Sequence, residues 1–532
     1  AFAPKADITV VAALSRKRSL ALALLNGNKW GRERTLVLEC LQSSRCRKVV
    51  PSRWIEYMQF ALGDCMSKLH YSGIREIADR IKSGKLSPLE LTRHMLDRID
   101  TRDKELKSFV RVTRERALKE AERAEREIAA GKYRGPLHGI PIAVKDLIDA
   151  KDIPTQGGLA VLKGNVAVDD APVLKKLSAA GAILIGKLNM TEGAMAGYHR
   201  DFEIPVNPWN ADFWSGASSS GSGVSVAAGL CFAALGTDTA GSIRFPAMAN
   251  GVVGLKPTFG LVGKSGALTL GDSLDHIGPL TRRVADAAIM LETIAGYDQF
   301  DPHSLDRPAP DLTSNLGSGV EGMRIGYDAT YTAIGASKEL IAAHEAALLE
   351  LEKLGAQIVE VSVPSQTTEL MDAWFAICAS EAVAAHAETY PARAADYGGY
   401  FGDFLALGAT ITQEQVDAAW QLRRAFSAEF NEFLASVDAF ALPSGIGPIR
   451  NGYDLYQNAE ALQPIFDKAH LEYTVPFDMA GAPGLTVRCG FTAEGMPLAI
   501  QFGGAPFSEA TLCQIGHAYE QATSWHESNP PK

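Results

Sequence analysis

Twice in this chain a helix-forming stretch stops at a glycine and an apolar run long enough for a buried strand follows at once. LKKLSAAG (174–181) leads into AILIGK (182–187), and SKELIAAHEAALLELEKLG (337–355) leads into AQIVEVSV (356–363). Helices that end in glycine and hand the chain to a buried strand define an α/β alternation. The rest of the chain keeps that rhythm. Ser87-Pro88-Leu89-Glu90 reads as a capping box with proline in the first turn, opening a helix to about Asp100. A strand from Ser108 to Val112, a charged helix from Arg114 to Ala130 and a strand at 139–144 ending on Lys145-Asp146 come next. NMTEGAMAG (189–197) and Thr412–Ser436 read as helical, MRIGYD (323–328) and VDAFALP (437–443) as strands. There is no fixed-period repeat and no long linker. The expectation is one α/β unit: a single large mixed, mostly parallel β-sheet covered on both sides by helices.

Charge is divided unevenly over the 532 residues. Residues 1–65 carry a net +6, and the remainder carries −16, for a formal total of −10. Residues 1–65 have no clear hydrophobic period. SRKRSLALALL mimics a signal peptide, and the Arg-rich, acid-poor composition also suits a transit peptide. The favoured reading is a basic extension outside the enzyme fold, with Met66 as natural start, an enzyme domain over 66–527 and a tail over 528–532. The acidic body argues against a nucleic-acid groove. The most apolar stretch, VSVAAGLCFAALG (224–236), is too short for a bilayer, which needs about 20 residues. Seven cysteines without CxxC pairs suggest packing residues in a reducing, cytoplasmic setting rather than a disulfide or zinc framework.

The anomaly lies at the centre. Residues 215–223 are all Ser, Gly or Ala, as in a flexible linker, yet they run straight into VSVAAGLCFAALGTDTAGSIRFPA. Two small-residue turns flanking an apolar helix instead suggest backbone wrapped tightly around a ligand. The second turn, Gly236-Thr-Asp-Thr-Ala-Gly241-Ser242-Ile-Arg244, places a serine among converging backbone N–H groups. That is what an acyl-transfer nucleophile and its oxyanion hole require. No GxSxG elbow and no SxxK occurs, which disfavours an α/β-hydrolase and removes the β-lactamase arrangement. Gly181-AILI-Gly186-Lys187 lacks the Walker hydroxyl, because Leu188 stands in its place. His344-Glu345 has no second histidine four residues after His344, and His138 reads as structural, so no metal is expected.

Gly139-Ile-Pro-Ile-Ala-Val-Lys145-Asp146, the Ser/Gly run and GTDTAGSIRFPA together resemble the diagnostic blocks of the amidase signature family of Ser-Ser-Lys hydrolases. GAILIGKLNMTE (181–192), NPWN (207–210), GVVGLKPTFG (251–260), DSLDHIGPLTR (272–282) and GMPLAIQFGG (495–504) extend the resemblance over about 66–525. It implies the amidase signature fold, no cofactor, Ser242 as acyl-forming nucleophile, Ser218 as a bridging serine after a cis peptide bond, and Lys145 as base. It also implies an oxyanion hole from the N–H groups of Thr239, Ala240, Gly241 and Ser242. Asp238, Arg244 and Ser219 are expected to support the turn, and Thr191, Glu192 and Asp275 to belong to a structural network. Two residues depart from the family pattern: Ala217 and Ala240 stand where glycine is usual.

The chemistry sets its own condition. A serine hydroxyl is a weak nucleophile until a neighbour takes its proton, and lysine can do so only when neutral. Moving its pKa from about 10.4 to 7–8 costs roughly 4 kcal/mol, which burial against Ile142 and Val144 can supply. Strand alternation turns the Asp146 side chain away from Lys145. The expected reaction is hydrolysis of an amide, anilide or carbamate by a monomer or homodimer, in the manner of acylamidases, aryl acylamidases and carbamate-cleaving members. The alternative is the glutamine-amidase subunit of a tRNA-dependent amidotransferase, where glutamine commonly follows the SIR turn; here it is Phe245. Substrate choice is expected from 365–475, which contains Trp374, Phe375, Tyr400, Phe401, Phe404, Trp420, Tyr453 and Tyr456.

Overall fold

A computed structural model describes residues 69–365, 368–458 and 471–531. The expectations for 1–65 and Met66 lie outside the described residues. The strands are β1 (Phe109–Val112), β2 (Pro141–Lys145), β3 (Ile183–Leu188), β4 (Ala233–Asp238), β5 (Val253–Lys256) and β6 (His276–Thr281). They continue with β7 (Arg324–Tyr327), β8 (Gln357–Glu360), β9 (Ala439–Pro443), β10 (Gly484–Phe491) and β11 (Pro497–Gly503). All eleven join one sheet in the order β1-β3-β2-β4-β6-β5-β10-β11-β9-β7-β8.

Every residue of β2, β3, β4, β6 and β9 is buried. Successive side chains of a strand point to opposite faces, so burial of all of them means the sheet is covered on both. The sheet is mixed, as expected, but it is not mostly parallel. β3-β2-β4 and β9-β7-β8 pair in parallel. The β1–β3 pair and every pairing from β4 through β6, β5, β10 and β11 to β9 are antiparallel. The helix-glycine-strand signal marks only the parallel portions, because antiparallel neighbours need no crossover helix.

Local expectations hold where capping chemistry is strong. Ser87 accepts from the N–H groups of Leu89 and Glu90 and opens the Pro88–Leu106 helix, which runs six residues past Asp100. Thr412 and Gln415 form a reciprocal capping box at the head of the Gln413–Ala435 helix. One expectation fails outright. NMTEGAMAG is not a helix but a single tight turn, Glu192–Ala194, with Gly193 in the left-handed region at φ 56°. A Cβ on Gly193 would sit 2.5 Å from the Phe401 ring, so backbone and aromatic ring pack too closely for helical side chains there.

Candidate active site

Parallel pairing of β2 with β4 sets Val144 opposite Leu235, so Lys145 and the Gly236–Ser242 turn emerge at the same edge of the sheet. Brought alongside is the Ser/Gly run, which ends in the Ser220–Ala227 helix. That run has to be small. A Cβ on Gly216 would lie 2.4 Å from the Pro246 backbone, and one on Gly221 would lie 2.5 Å from the Asn189 carbonyl oxygen.

Lys145 is completely buried, and its Nζ lies 2.6 Å from Ser218 Oγ and 2.8 Å from Thr237 Oγ1. Burial drives its pKa down to about 7, against the opposing pull of Asp275 and Asp238. A neutral amine keeps a lone pair, so Ser218 can donate its O–H to Nζ. Asp146 indeed faces the other way and pairs with Lys187 at 3.3 Å. The Ala217–Ser218 peptide is cis, as the resemblance implies, with alanine in place of the usual glycine. Ser219 accepts from the Thr237 N–H and donates to the Thr237 carbonyl, clamping the strand residue whose hydroxyl touches Lys145. Thr237 itself is a site residue that sequence reasoning missed; nothing in GTDTAG separates it from Thr239.

Ser242 is partly exposed, whereas Lys145 and Ser218 are buried. Among the described residues no hydrogen bond joins Ser218 to Ser242. Substrate-free catalytic sites commonly hold such contacts long, and they tighten when substrate is bound.

The turn carrying Ser242 is built around Asp238. Its carboxylate accepts from the N–H groups of Gly241 and Ile243 at 2.6 and 3.0 Å, and from Arg244 Nε and Nη2 at 3.0 and 2.9 Å. Burial would raise this carboxyl, but the Arg244 guanidinium overrides it and holds the group well below the carboxylate range. Arg244 reaches on to Asp478 Oδ2 at 2.7 Å and to the Thr474 carbonyl at 3.1 Å. Burial, with the Asp238 charge, pushes Asp478 up to about 8 even so. Two carboxyl groups thus share one buried guanidinium, and only Asp238 is the firm anion.

The oxyanion set needs one correction. The Gly241 N–H is committed to Asp238, so three of the four expected donors, those of Thr239, Ala240 and Ser242, lack an acceptor among the described residues. Asp275 accepts from the Thr239 hydroxyl and from the N–H groups of Leu270 and Gly271, the structural role expected of it. Glu192 accepts from the Gly398 N–H, and Thr191 donates to the Met195 carbonyl. His138, buried, contacts Glu127. No group of three or more metal-binding side chains occurs among the described residues.

Of the aromatics in 365–475, only some reach the site. Tyr456 donates to the Gly216 carbonyl at 2.6 Å, and Trp374 donates through Nε1 to the Thr239 carbonyl at 3.0 Å. Tyr456 also belongs to an apolar cluster with Tyr198, Trp214, Phe245 and Met248, against which Ala217 packs. Phe401 and Phe404 are buried beside one another, with Phe375 set edge-on to Phe404, and Tyr453 is exposed.

A buried lysine in contact with one serine, beside a second serine in a turn with N–H groups that lack acceptors, is the kind of arrangement that serine-based acyl transfer requires. The Amidase family model matches residues 90–513, and the chain belongs to the amidase signature family of C–N hydrolases. Among its relatives, "Putative amidase AmiD" of Mycobacterium tuberculosis is 38% identical over 475 residues, which is 88% of this chain and 97% of that one. A glutamyl-tRNA(Gln) amidotransferase subunit of Thermosynechococcus vestitus is 38% identical over 485 residues, 86% of this chain and 99% of that one. Among solved structures, native peptide amidase from Stenotrophomonas maltophilia superposes with a TM-score of 0.77 at 31% identity, covering 87% of this chain and 98% of that one. A bacterial aryl acylamidase of the amidase signature family gives 0.77 at 27%, covering 86% and 98%. Among the described residues no helix is long and apolar enough to cross a membrane.

Proposed function

We propose that this protein is a stand-alone cytoplasmic hydrolase of linear amides or anilides, with carbamates as a further substrate class, working through an acyl-enzyme on Ser242. The observation that carries this reading is a fully buried Lys145, held near neutrality and in contact with Ser218. Ser242 gives its proton to Ser218 Oγ as Ser218 passes its own to Lys145 Nζ, and Ser242 Oγ attacks the acyl carbon. The N–H groups of Thr239, Ala240 and Ser242 receive the developing oxyanion. Collapse of the tetrahedral species breaks the C–N bond, and Ser218 returns a proton to the departing nitrogen. Water then repeats the cycle to release the acid. Asp238, Arg244 and Ser219 hold the frame and touch no reacting atom.

The likeness to peptide amidase and aryl acylamidase structures supports small amide or anilide substrates, and Phe245, packed with Trp214 and Met248, supports an apolar acyl group. A second reading, the glutamine-amidase component of an amidotransferase, is favoured by relatives of that name at 35–38% identity. A panel of p-nitroanilides, primary amides and aryl carbamates, run with and without glutamine, separates the two. Turnover of an anilide by the purified chain, as monomer or homodimer, supports the hydrolase; activity on glutamine alone, and only with partners, supports the amidotransferase. Ser242→Ala should abolish turnover and any acyl adduct seen by intact-mass spectrometry. Undiminished activity in that variant removes Ser242 as nucleophile.

A further inference from the structure

The oxyanion donors sit in a turn two of whose carbonyl groups, those of Thr239 and Ala240, are held by side chains from far along the chain. Trp374 Nε1–H donates to the Thr239 carbonyl at 3.0 Å across 135 residues of sequence. Thr474 Oγ1–H donates to the Ala240 carbonyl at 2.6 Å across 234 residues. In a trans peptide the C=O of one residue and the N–H of the next lie in one plane and point in opposite directions. Neither the Thr239–Ala240 nor the Ala240–Gly241 bond is cis. Anchoring the Thr239 oxygen therefore aims the Ala240 N–H the opposite way. Anchoring the Ala240 oxygen aims the Gly241 N–H away from Thr474, and that N–H is the one found on Asp238 at 2.6 Å.

The two anchors thus have different products. Thr474 directs a structural donor into the Asp238 carboxylate. Trp374 directs a donor that has no acceptor among the described residues, the Ala240 N–H. Trp374 is buried on the Thr368–Ala385 helix, where its indole is fixed by packing.

Resting on the acyl-enzyme reading above, we propose that Trp374 is a positioning residue for the oxyanion hole. Its indole N–H fixes the Thr239–Ala240 peptide plane so that the Ala240 N–H faces the acyl oxygen. The requirement is a donor at this point, not an aromatic surface for substrate. Loss of one oxyanion donor costs about 100- to 1,000-fold in kcat, and a donor left in place but free to tilt should cost less, about 10- to 100-fold.

The test compares the wild-type chain with Trp374→Phe and with benzothienylalanine at 374, which replaces the indole N–H by sulfur at nearly unchanged shape. Each is assayed on one p-nitroanilide that the wild type turns over, and each is titrated with an arylboronic acid, whose serine adduct places an oxygen in the hole. The expected result is a 10- to 100-fold fall in kcat with KM within threefold, a matching loss of boronate affinity, and an unchanged thermal midpoint for the sulfur analogue. A sulfur analogue with wild-type kcat overturns the proposal while leaving the acyl-enzyme reading intact. A rise in KM without loss of kcat also overturns it, because it makes Trp374 a substrate contact. A wild-type chain that turns over no amide and forms no boronate adduct at Ser242 removes the acyl-enzyme reading and this proposal together.

Discussion

At the scale of single residues the site depends on one protonation state. Burial disfavours the Lys145 ammonium more than Asp275 and Asp238 favour it, which brings its pKa down from 10.5 to about 7. Turnover under saturating substrate should therefore rise through a single ionisation near pH 7 and level off above it, as a pH–rate profile will show. Lys145→Ala should lower kcat by several orders of magnitude at pH 7, with partial recovery at high pH as hydroxide replaces the base. A rate unchanged at neutral pH would contradict its role. The turn serine stood out in the sequence by its small-residue turn, whereas Lys145 and Ser218 were singled out only by the resemblance of their runs to the amidase signature blocks. Thr237 and Thr474 were not legible as site residues, and Trp374 was expected only as one of the aromatics of a substrate pocket. Each acts through one hydrogen bond to a residue that the fold, not the local pattern, brings near.

Among the elements, the turn after β4 carries the most. Asp238 accepts from the N–H groups of Gly241, Ile243 and Arg244 and from the Arg244 side chain, and both side chains are completely buried. Asp238→Asn should remove one of the two carboxyl partners of the Arg244 guanidinium and the anion that accepts from the turn N–H groups. Breaking a buried pair in this way costs about 3–5 kcal/mol. Urea unfolding should show that loss together with loss of turnover, whereas a variant as stable as wild type would mean the turn is held by other contacts. Asp238 and Arg244 were legible as braces because they flank the serine. Asp478 was not, lying 234 residues from Arg244. The failed helix at 189–197 has the same origin: its composition suits a helix, but Gly193 and Ala194 take the left-handed region where the segment packs closely against Phe401 and Tyr400.

The molecule as a whole is one sheet, and its two halves differ in how they were legible. Parallel strands announce themselves through the helices that precede them, which is why β3, β8 and β9 could be placed. The antiparallel centre, β5, β6, β10 and β11, lies in segments rich in glycine and proline that look like loops. Stability across this unit also depends on buried carboxyl groups. Burial raises Glu192 from 4.5 to about 7 against the pull of the Gly398 N–H. Between those values the folded chain holds a proton that the unfolded chain has lost, so stability should fall as pH rises from about 4.5 to 7. Glu192→Gln should therefore raise the unfolding free energy at pH 8 by about 1–3 kcal/mol and change it little at pH 4.5. Thermal melts at the two values check this, and equal shifts at both would refute it.

Because Lys145 is completely buried against Ser218 while Ser242 is partly exposed, reagents should see the two very differently. Acetylating esters that modify surface amines will not find position 145 in the folded protein.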